Sequence, residues 1–469
     1  MKNFVAVFFF LFVSSVSAQT VEENSLLSFG GGSDGAGSCL YRDYQSIGVN
    51  PANLGIYDDD GDTRVNLGFF DAHGLFFSDA LPKSEILPAL FGRHHLSSDE
   101  KVSIAELFLE SGNSFSAEVD PVNFAIQFPK LGGFGFSWRE RFSGEAQFTQ
   151  PLADLVFNGI HSQYIDTIII DVIGQQIGLL GDYDAGSLFN GSSIKFSWLR
   201  EFNLSYGRQL IGNDFLKIYL GGSVKFLQSN ATADISFNAD TISGFAAFSK
   251  LFNIDYANFT DPGVSLAGRF TPVGKGMGFD LGTTVSLGQK FFAAFSVTDI
   301  GSIKYTGNLV TINDAVKDSL INFFGINIAT IFSDLDTLFN AKGFFHYLPA
   351  GEQKVNLPTQ MRIGAAMHLT KQIDIGVDLI QPFNDVPGTI GKTSFAGLFN
   401  FSPSKNFKLS TGFVGGGISD FNIPVGISFS LVPDQLWQMS IGTGDIISWV
   451  KQNRPTISIS LSLLRFHYE

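Results

Sequence analysis

Residues 192–207 read Ser192-Ser193-Ile194-Lys195-Phe196-Ser197-Trp198-Leu199-Arg200-Glu201-Phe202-Asn203-Leu204-Ser205-Tyr206-Gly207. In an extended chain, successive side chains point to opposite faces. Ile194, Phe196, Trp198, Phe202, Leu204 and Tyr206 therefore share one face, while Ser193, Lys195, Ser197, Glu201, Asn203 and Ser205 share the other. The next segment repeats the arrangement. Leu216, Ile218, Leu220, Val224 and Phe226 oppose Lys217, Tyr219, Ser223 and Lys225. Large apolar groups on one face and small or polar groups on the other mark a strand with lipid outside and a polar interior.

The pattern spreads in both directions. Phe134, Phe136 and Trp138 oppose Ser137, Arg139 and Arg141, and Met277, Phe279, Leu281, Val285 and Leu287 oppose Asp280, Thr284 and Ser286. At the C-terminal end Ile457, Ile459, Leu461 and Leu463 alternate with Ser458, Ser460 and Ser462. Strands are expected near 63–77, 116–128, 133–148, 192–211, 215–238, 264–287, 291–307, 355–369, 372–381, 394–402, 407–415, 421–431, 436–448 and 454–467. Links after even-numbered strands are short, as at Pro129 to Gly132 and Gly288 to Lys290. Several links after odd-numbered strands are long: 78–115, 149–191, 239–263 and 308–354. Short turns at one rim and long loops at the other are the rule for membrane barrels, as is an even strand count. The expected fold class is all-β, a transmembrane antiparallel barrel of about fourteen strands.

Composition points the same way. The 469 residues include 51 glycines and 50 phenylalanines, yet only 16% are charged. After the first residues no stretch offers the roughly 20 uncharged apolar positions that a membrane helix needs. In lipid, closure into a barrel is the other way to satisfy every backbone group. One cysteine excludes an internal disulfide, and a net charge of −14 argues against nucleic acid as a partner.

Lys2, the apolar run Phe4 to Val13 and the small residues Ser14 to Ala18 form the pattern of a cleaved signal peptide over 1–18. Export to a bacterial outer membrane, with both termini periplasmic, is the expectation. Residues 63–469 would form the barrel. Residues 19–62 carry Glu22, Glu23, Arg42 and Asp58-Asp59-Asp60, so they cannot lie in lipid. They either hang in the periplasm or enter the lumen as a hatch or plug.

Within that segment, Gly48-Val49-Asn50-Pro51-Ala52-Asn53-Leu54-Gly55 resembles the hatch segment of FadL long-chain fatty-acid channels and of PorV-like barrels of the type IX secretion system. Gly276 to Gly282, Asp299 to Ile303, Leu357-Pro358 and Arg362-Ile363-Gly364 extend the likeness, which also takes in exported barrels of Bacteroidetes-type bacteria. The resemblance implies a hatch folded into the lumen, with Asn50, Pro51 and Ala52 at its turn. It implies FadL-like transport of a small hydrophobic ligand, captured by the outer loops and released sideways or through the lumen. The rival expectation is a PorV-like barrel that binds a secretion-system or other outer-membrane protein and transports nothing.

Three outer loops carry apolar spacings that read as helices: 103–109, 152–180 and 315–339. They would form a collecting groove, a self-packed cap or a docking face. Arg139, Arg141, Lys225, Asp280 and Arg362 fall on inward registers, where they either tune a pore or form ion-pair ladders. Other motifs dissolve on inspection. Gly30, Gly32 and Gly35 have dinucleotide-loop spacing without a preceding strand. Asp58 to Asp62 lack the closing glutamate of a calcium loop. His73, His94 and His95 lack metal-ligand context. With no catalytic constellation either, the chain is expected to be no enzyme and to carry no cofactor.

Overall fold

The computed structural model describes residues 37–57, 63–78, 97, 101–102, 105–106, 112–170, 176–180, 189–238, 241–252, 271–288, 290–315, 320–321, 347–349, 351–389, 392–404, 406–417, 421–430, 437–451 and 456–468. The expected signal peptide, the acidic run Asp58 to Asp62, Gly30, Gly32, Gly35, His94 and His95 lie outside these residues. So do most of the expected loop helices at 103–109 and 315–339.

Fourteen antiparallel strands close into a barrel. They are β1 Arg64–Ser78, β2 Gly112–Phe128, β3 Gly132–Gln147, β4 Ser193–Gly212 and β5 Leu216–Phe237. Next come β6 Gly274–Leu287, β7 Phe291–Tyr305, β8 in two pieces (Gln353–Asn356 and Gln360–His368) and β9 Ile373–Pro382. The last are β10 Ser394–Ser404, β11 Phe407–Gly416, β12 (Phe421–Asn422 and Val425–Ser430), β13 Trp437–Thr443 and β14 Thr456–Tyr468. Each strand pairs with its sequence neighbours, and β14 closes on β1 from Thr456↔Phe77 to Tyr468↔Val65. The strand count, the alternation of link lengths and the order of the wall agree with the sequence reading.

The outward residues of that reading form the outer surface. Leu204, Leu220, Phe226, Phe279 and Leu281 are large, apolar and exposed, and the structure adds Phe295, Ile363, Phe395 and Phe413 to them. Leu281 sits halfway along β6 with 59% of its surface bare, while Phe215 lies at the short-turn rim. Replacing Leu281 by arginine should cost about 2–4 kcal/mol of folding into bilayers, and Phe215→Arg about 0–1 kcal/mol. Urea titration in lipid vesicles measures both, and equal losses would refute a membrane-facing belt.

Two corrections concern the loops, one a strand end and one a strand start. Of the expected helical stretch 152–180, only Gln150–Asn158 is an α-helix, followed by a 3-10 turn at Gly159–His161. Pro151 fits its first turn, Leu152, Leu155 and Val156 share a buried face, and Gly159 ends it at φ +57°. Ile165–Ile170 and Gln176–Leu180 instead pair as strands, joined by Leu320–Ile321. A run of β-branched isoleucines suits an extended chain better than a helix. Part of the loop expected over 239–263 is a strand, Thr241–Phe248, which continues the sheet above β5. The expected strand 436–448 stops at Thr443, and Ile446–Val450 forms a short helix after Asp445. Of the strand expected from 264, the described part begins at Gly274.

The wall is irregular on one side. Inward residues of β1 are Asn66 and Gly68 below Phe70, then Asp71 and His73 above it, so the pleat slips by one residue. Phe70 itself has φ +58°. In β2 the slip falls at Pro121, between Asp120 and Asn123, and in β14 between Ser462 and Arg465. Proline cannot donate to a ladder, and each bulge leaves one residue unpaired. The β1–β2 register skips Phe70, and the β1–β14 register skips Phe70 and Asp71.

Candidate functional site

Residues 37–57 lie against the inner wall. Most are buried, including Cys39, Leu40, Tyr44, Ile47, Leu54, Asn50 and Asn53. Two 3-10 turns give the segment its shape, Asp43–Ser46 and Pro51–Gly55. The second starts as its sequence dictates. Asn50 is extended and its side-chain oxygen accepts from the Ala52 N–H (3.2 Å), while Pro51 has no N–H to satisfy. Gly48 turns the chain with φ +74°, and Arg139 donates to the Ile47 carbonyl next to it (2.7 Å).

The wall receives this segment through backbone-close contacts. A Cβ at Gly133, Gly207, Gly221 or Gly282 would overlap Leu54, Pro51 or Asn50. Glycine inside a strand marks such close approach. Asn50 Nδ2 donates to Ser38 O (3.0 Å) and Thr284 Oγ1 (2.8 Å), and Thr284 donates to Asn53 Oδ1 (2.6 Å). Ser296 donates to Val49 O (2.6 Å), and Gln127 donates to Leu54 O and Ile56 O (2.9 Å each). Asp378 takes the Gly37 and Ser38 N–H groups (2.9 Å each), and Arg465 pairs with Asp43. Among the described pairings the segment shares no β-ladder with the wall; side chains hold it.

Of the expected hatch residues, Asn50, Pro51 and Ala52 all lie buried at this seat. Cys39 is buried beside Leu40, Phe292 and Leu398. Burial, with help from the Asp378 carboxylate, pushes its thiol well above the ordinary range. It should therefore be a poor nucleophile while the segment stays seated.

Above the segment, charges fill the lumen. Arg141 lies 3.0 Å from Glu201, 3.1 Å from Asp299 and 3.9 Å from Glu118. Lys225 lies 2.7 Å from Asp299, 2.9 Å from Asp280 and 3.6 Å from Glu201. Arg139 reaches Glu118 (3.8 Å) and Asp120 (3.7 Å). The structure thus joins four of the expected inward residues, Arg139, Arg141, Lys225 and Asp280, into one cluster. The fifth, Arg362, stands apart, 4.0 Å from Asp378 at the seat of the inner segment.

None of the acids Glu118, Asp120, Glu201 and Asp299 was singled out as a site residue in the sequence reading, although Glu201 was placed on the polar face of 192–207. Three were findable, because Glu118 pairs across the sheet with Arg141, Asp120 lies one step further in β2, and Glu201 pairs with Arg139. Asp299 was not. Its backbone bulges at φ +58° opposite the break in β8 at Leu357-Pro358-Thr359, and that bulge aims the carboxylate inward. His73, weighed as a metal ligand, lines the lumen near Glu118 and Arg139. Among the described residues no group of three or more His, Cys, Asp and Glu side chains is placed to hold a metal.

Two clefts flank the cluster. The outer one, partly open to solvent, lies between the wall and the loop that folds in over it at Pro387, Gly388 and Thr389. The other lies between Tyr41, Tyr44 and Val49 and the irregular wall at Asp71, His73, Asp120 and Ser462.

A family model described as "Family of unknown function (DUF5723)" matches residues 93–440. No curated protein matches the chain. Among solved structures, a mutant TodX monoaromatic hydrocarbon channel is similar over 95% of this chain and 99% of its own, at 9% identity and a TM-score of 0.46. The Pseudomonas putida toluene transporter TodX is similar over 96% and 99%, at 10% identity and a TM-score of 0.43. A Pseudomonas aeruginosa FadL homologue is similar over 96% and 99%, at 8% identity and a TM-score of 0.37.

Proposed function

We propose that this chain, which belongs to the DUF5723 family of unknown function, is an outer-membrane barrel that admits small hydrophobic molecules past a displaceable inner segment. One observation carries the reading. A seat shaped by strand glycines receives a segment that side-chain hydrogen bonds and ion pairs hold, without a shared ladder. Side-chain bonds of this kind each contribute about 0.5–1.5 kcal/mol and can break one at a time. A ladder strand would leave far less readily.

In this reading residues 37–57 are the hatch, with Asn50, Pro51 and Ala52 at its turn and Arg362 acting on it through Asp378. The short turns face the periplasm, and the long loops face outward. A molecule enters the outer cleft under the Pro387–Thr389 loop. The buried charge cluster bars a straight passage, so the exit lies where β14, β1 and β2 slip register beside the second cleft.

The test pairs two measurements. Cells making the protein should take up the uncharged dye N-phenylnaphthylamine faster than cells without it. The purified barrel in planar bilayers should show almost no ion conductance. Equal dye uptake with and without the protein would sink the reading.

A second reading rests on a different observation. The strand Ile165–Ile170 exposes Ile168, Ile169 and Ile170 on an outer loop. Exposed apolar surface of this kind favours a protein partner and a PorV-like role. Unchanged uptake together with a co-purifying outer-membrane protein would select it.

A further inference from the structure

We propose that the outer cleft takes an uncharged, mainly apolar molecule with at most a hydroxyl-like head, and turns carboxylates away. This deepens the transport reading and rests on it. One side of the cleft is apolar, built from Leu199, Ile303, Tyr305 and Leu357, which pack as one cluster with Val355 against it. Ser116, Ser143, Ser197 and Thr389 add hydroxyl groups that can donate to or accept from a neutral head.

Among the described residues that line the cleft, Arg141 and Tyr305 are the ionisable ones. In a fatty-acid site an arginine such as Arg141 would take the ligand's carboxylate in a bidentate pair. Here it is already engaged by Glu201, Asp299 and Glu118. Among the described residues the cluster beneath it joins three cations, Arg139, Arg141 and Lys225, to five acids, Glu118, Asp120, Glu201, Asp280 and Asp299. At the described part of the rim Lys195 is likewise taken, paired with Asp385. A ligand carboxylate would lose its water and find each described cation beneath the cleft already paired with acids. A neutral head meets none of these costs.

Octan-1-ol and octanoate share a chain and differ in the head, so they separate the two cases. Equilibrium dialysis at pH 8 would compare retention by nanodiscs containing the full barrel with retention by empty nanodiscs. Octan-1-ol should bind at least about tenfold more tightly than octanoate. Thr389→Trp, on the covering loop rather than in the wall, should abolish octan-1-ol retention by filling the cleft. Glu118→Gln, which removes one acid at 3.9 Å from Arg141, should raise octanoate binding. Octanoate binding as tightly as octan-1-ol overturns the charge argument and leaves the transport reading standing. Octan-1-ol retained by Thr389→Trp overturns the assignment to this cleft. Retention of neither probe by the unaltered protein overturns both the inference and the transport reading.

Discussion

Deleting residues 37–57 should leave a folded, heat-resistant barrel whose single-channel conductance rises above the near-baseline level of the intact protein, because the charge cluster alone closes the lumen less tightly than cluster and segment together. The wall does not depend on the segment for closure, because β1 and β14 pair directly from one rim to the other. What the segment supplies is filling. A fourteen-strand barrel is wider than the eight-strand size that side chains alone can fill. Without the segment, Gly133, Gly207, Gly221 and Gly282 would line a gap that contains no side chain of their own. The charge cluster above would then meet water from below and lose part of the dry surroundings that strengthen its pairs.

The intact chain carries its own reporter for the same event. Cys39 sits in the segment, buried, with its thiol pushed up by burial and by Asp378. At pH 8 it should resist a soluble maleimide in the native barrel and react once the segment is dislodged. Gly221→Val should do this, because its side chain would occupy the place of the Pro51 backbone. A deletion with unchanged conductance, or a Gly221→Val barrel with protected Cys39, would show that other elements close the lumen.

The wall was legible in the sequence because its signal is local and repeated. Period-2 segments such as 192–207 and 215–227 show which side chains face lipid before any partner strand is known. The turns were legible for a similar reason. Gly288 and Gly132 at the short rim both adopt positive φ, a demand that turn glycines advertise. The outer hairpin at 165–180 was misread as helical, since an apolar run without clear period fits either form. Its β-branched isoleucines held the better clue.

The interior was only half legible, and the division follows range. The period of each strand placed Arg139, Arg141, Lys225 and Asp280 inside. What each one touches depends on strand neighbours far away in sequence, as Arg141 and Asp299 show across 158 positions. The Asn50-Pro51-Ala52 turn could be recognised as a motif. Its seat could not, because Thr284, Ser296 and Gln127 look like ordinary inward polar residues until the segment lies on them.

Replacing Lys225 by methionine should cost about 3–5 kcal/mol of barrel stability, the loss expected when one partner of a buried ion pair is removed. Methionine fills similar space, so the cost arises from charge rather than from a cavity. Lys225 is 1% exposed and lies within 3.6 Å of three carboxylates. Two of those acids keep another cation, since Arg141 holds Glu201 and Asp299. Among the described contacts Asp280 has no second ion-pair partner and keeps one hydrogen bond, from the Asp299 N–H (2.9 Å). It is therefore the group left charged, dry and poorly compensated. Asp280→Asn removes that charge while its side-chain oxygen still accepts from Asp299. The double variant Lys225→Met with Asp280→Asn should accordingly recover most of the lost stability. Urea unfolding in lipid vesicles would measure all three proteins. If Lys225→Met alone unfolds at the same urea concentration as the parent, water reaches the cluster, and a dry charged barrier across the lumen is excluded.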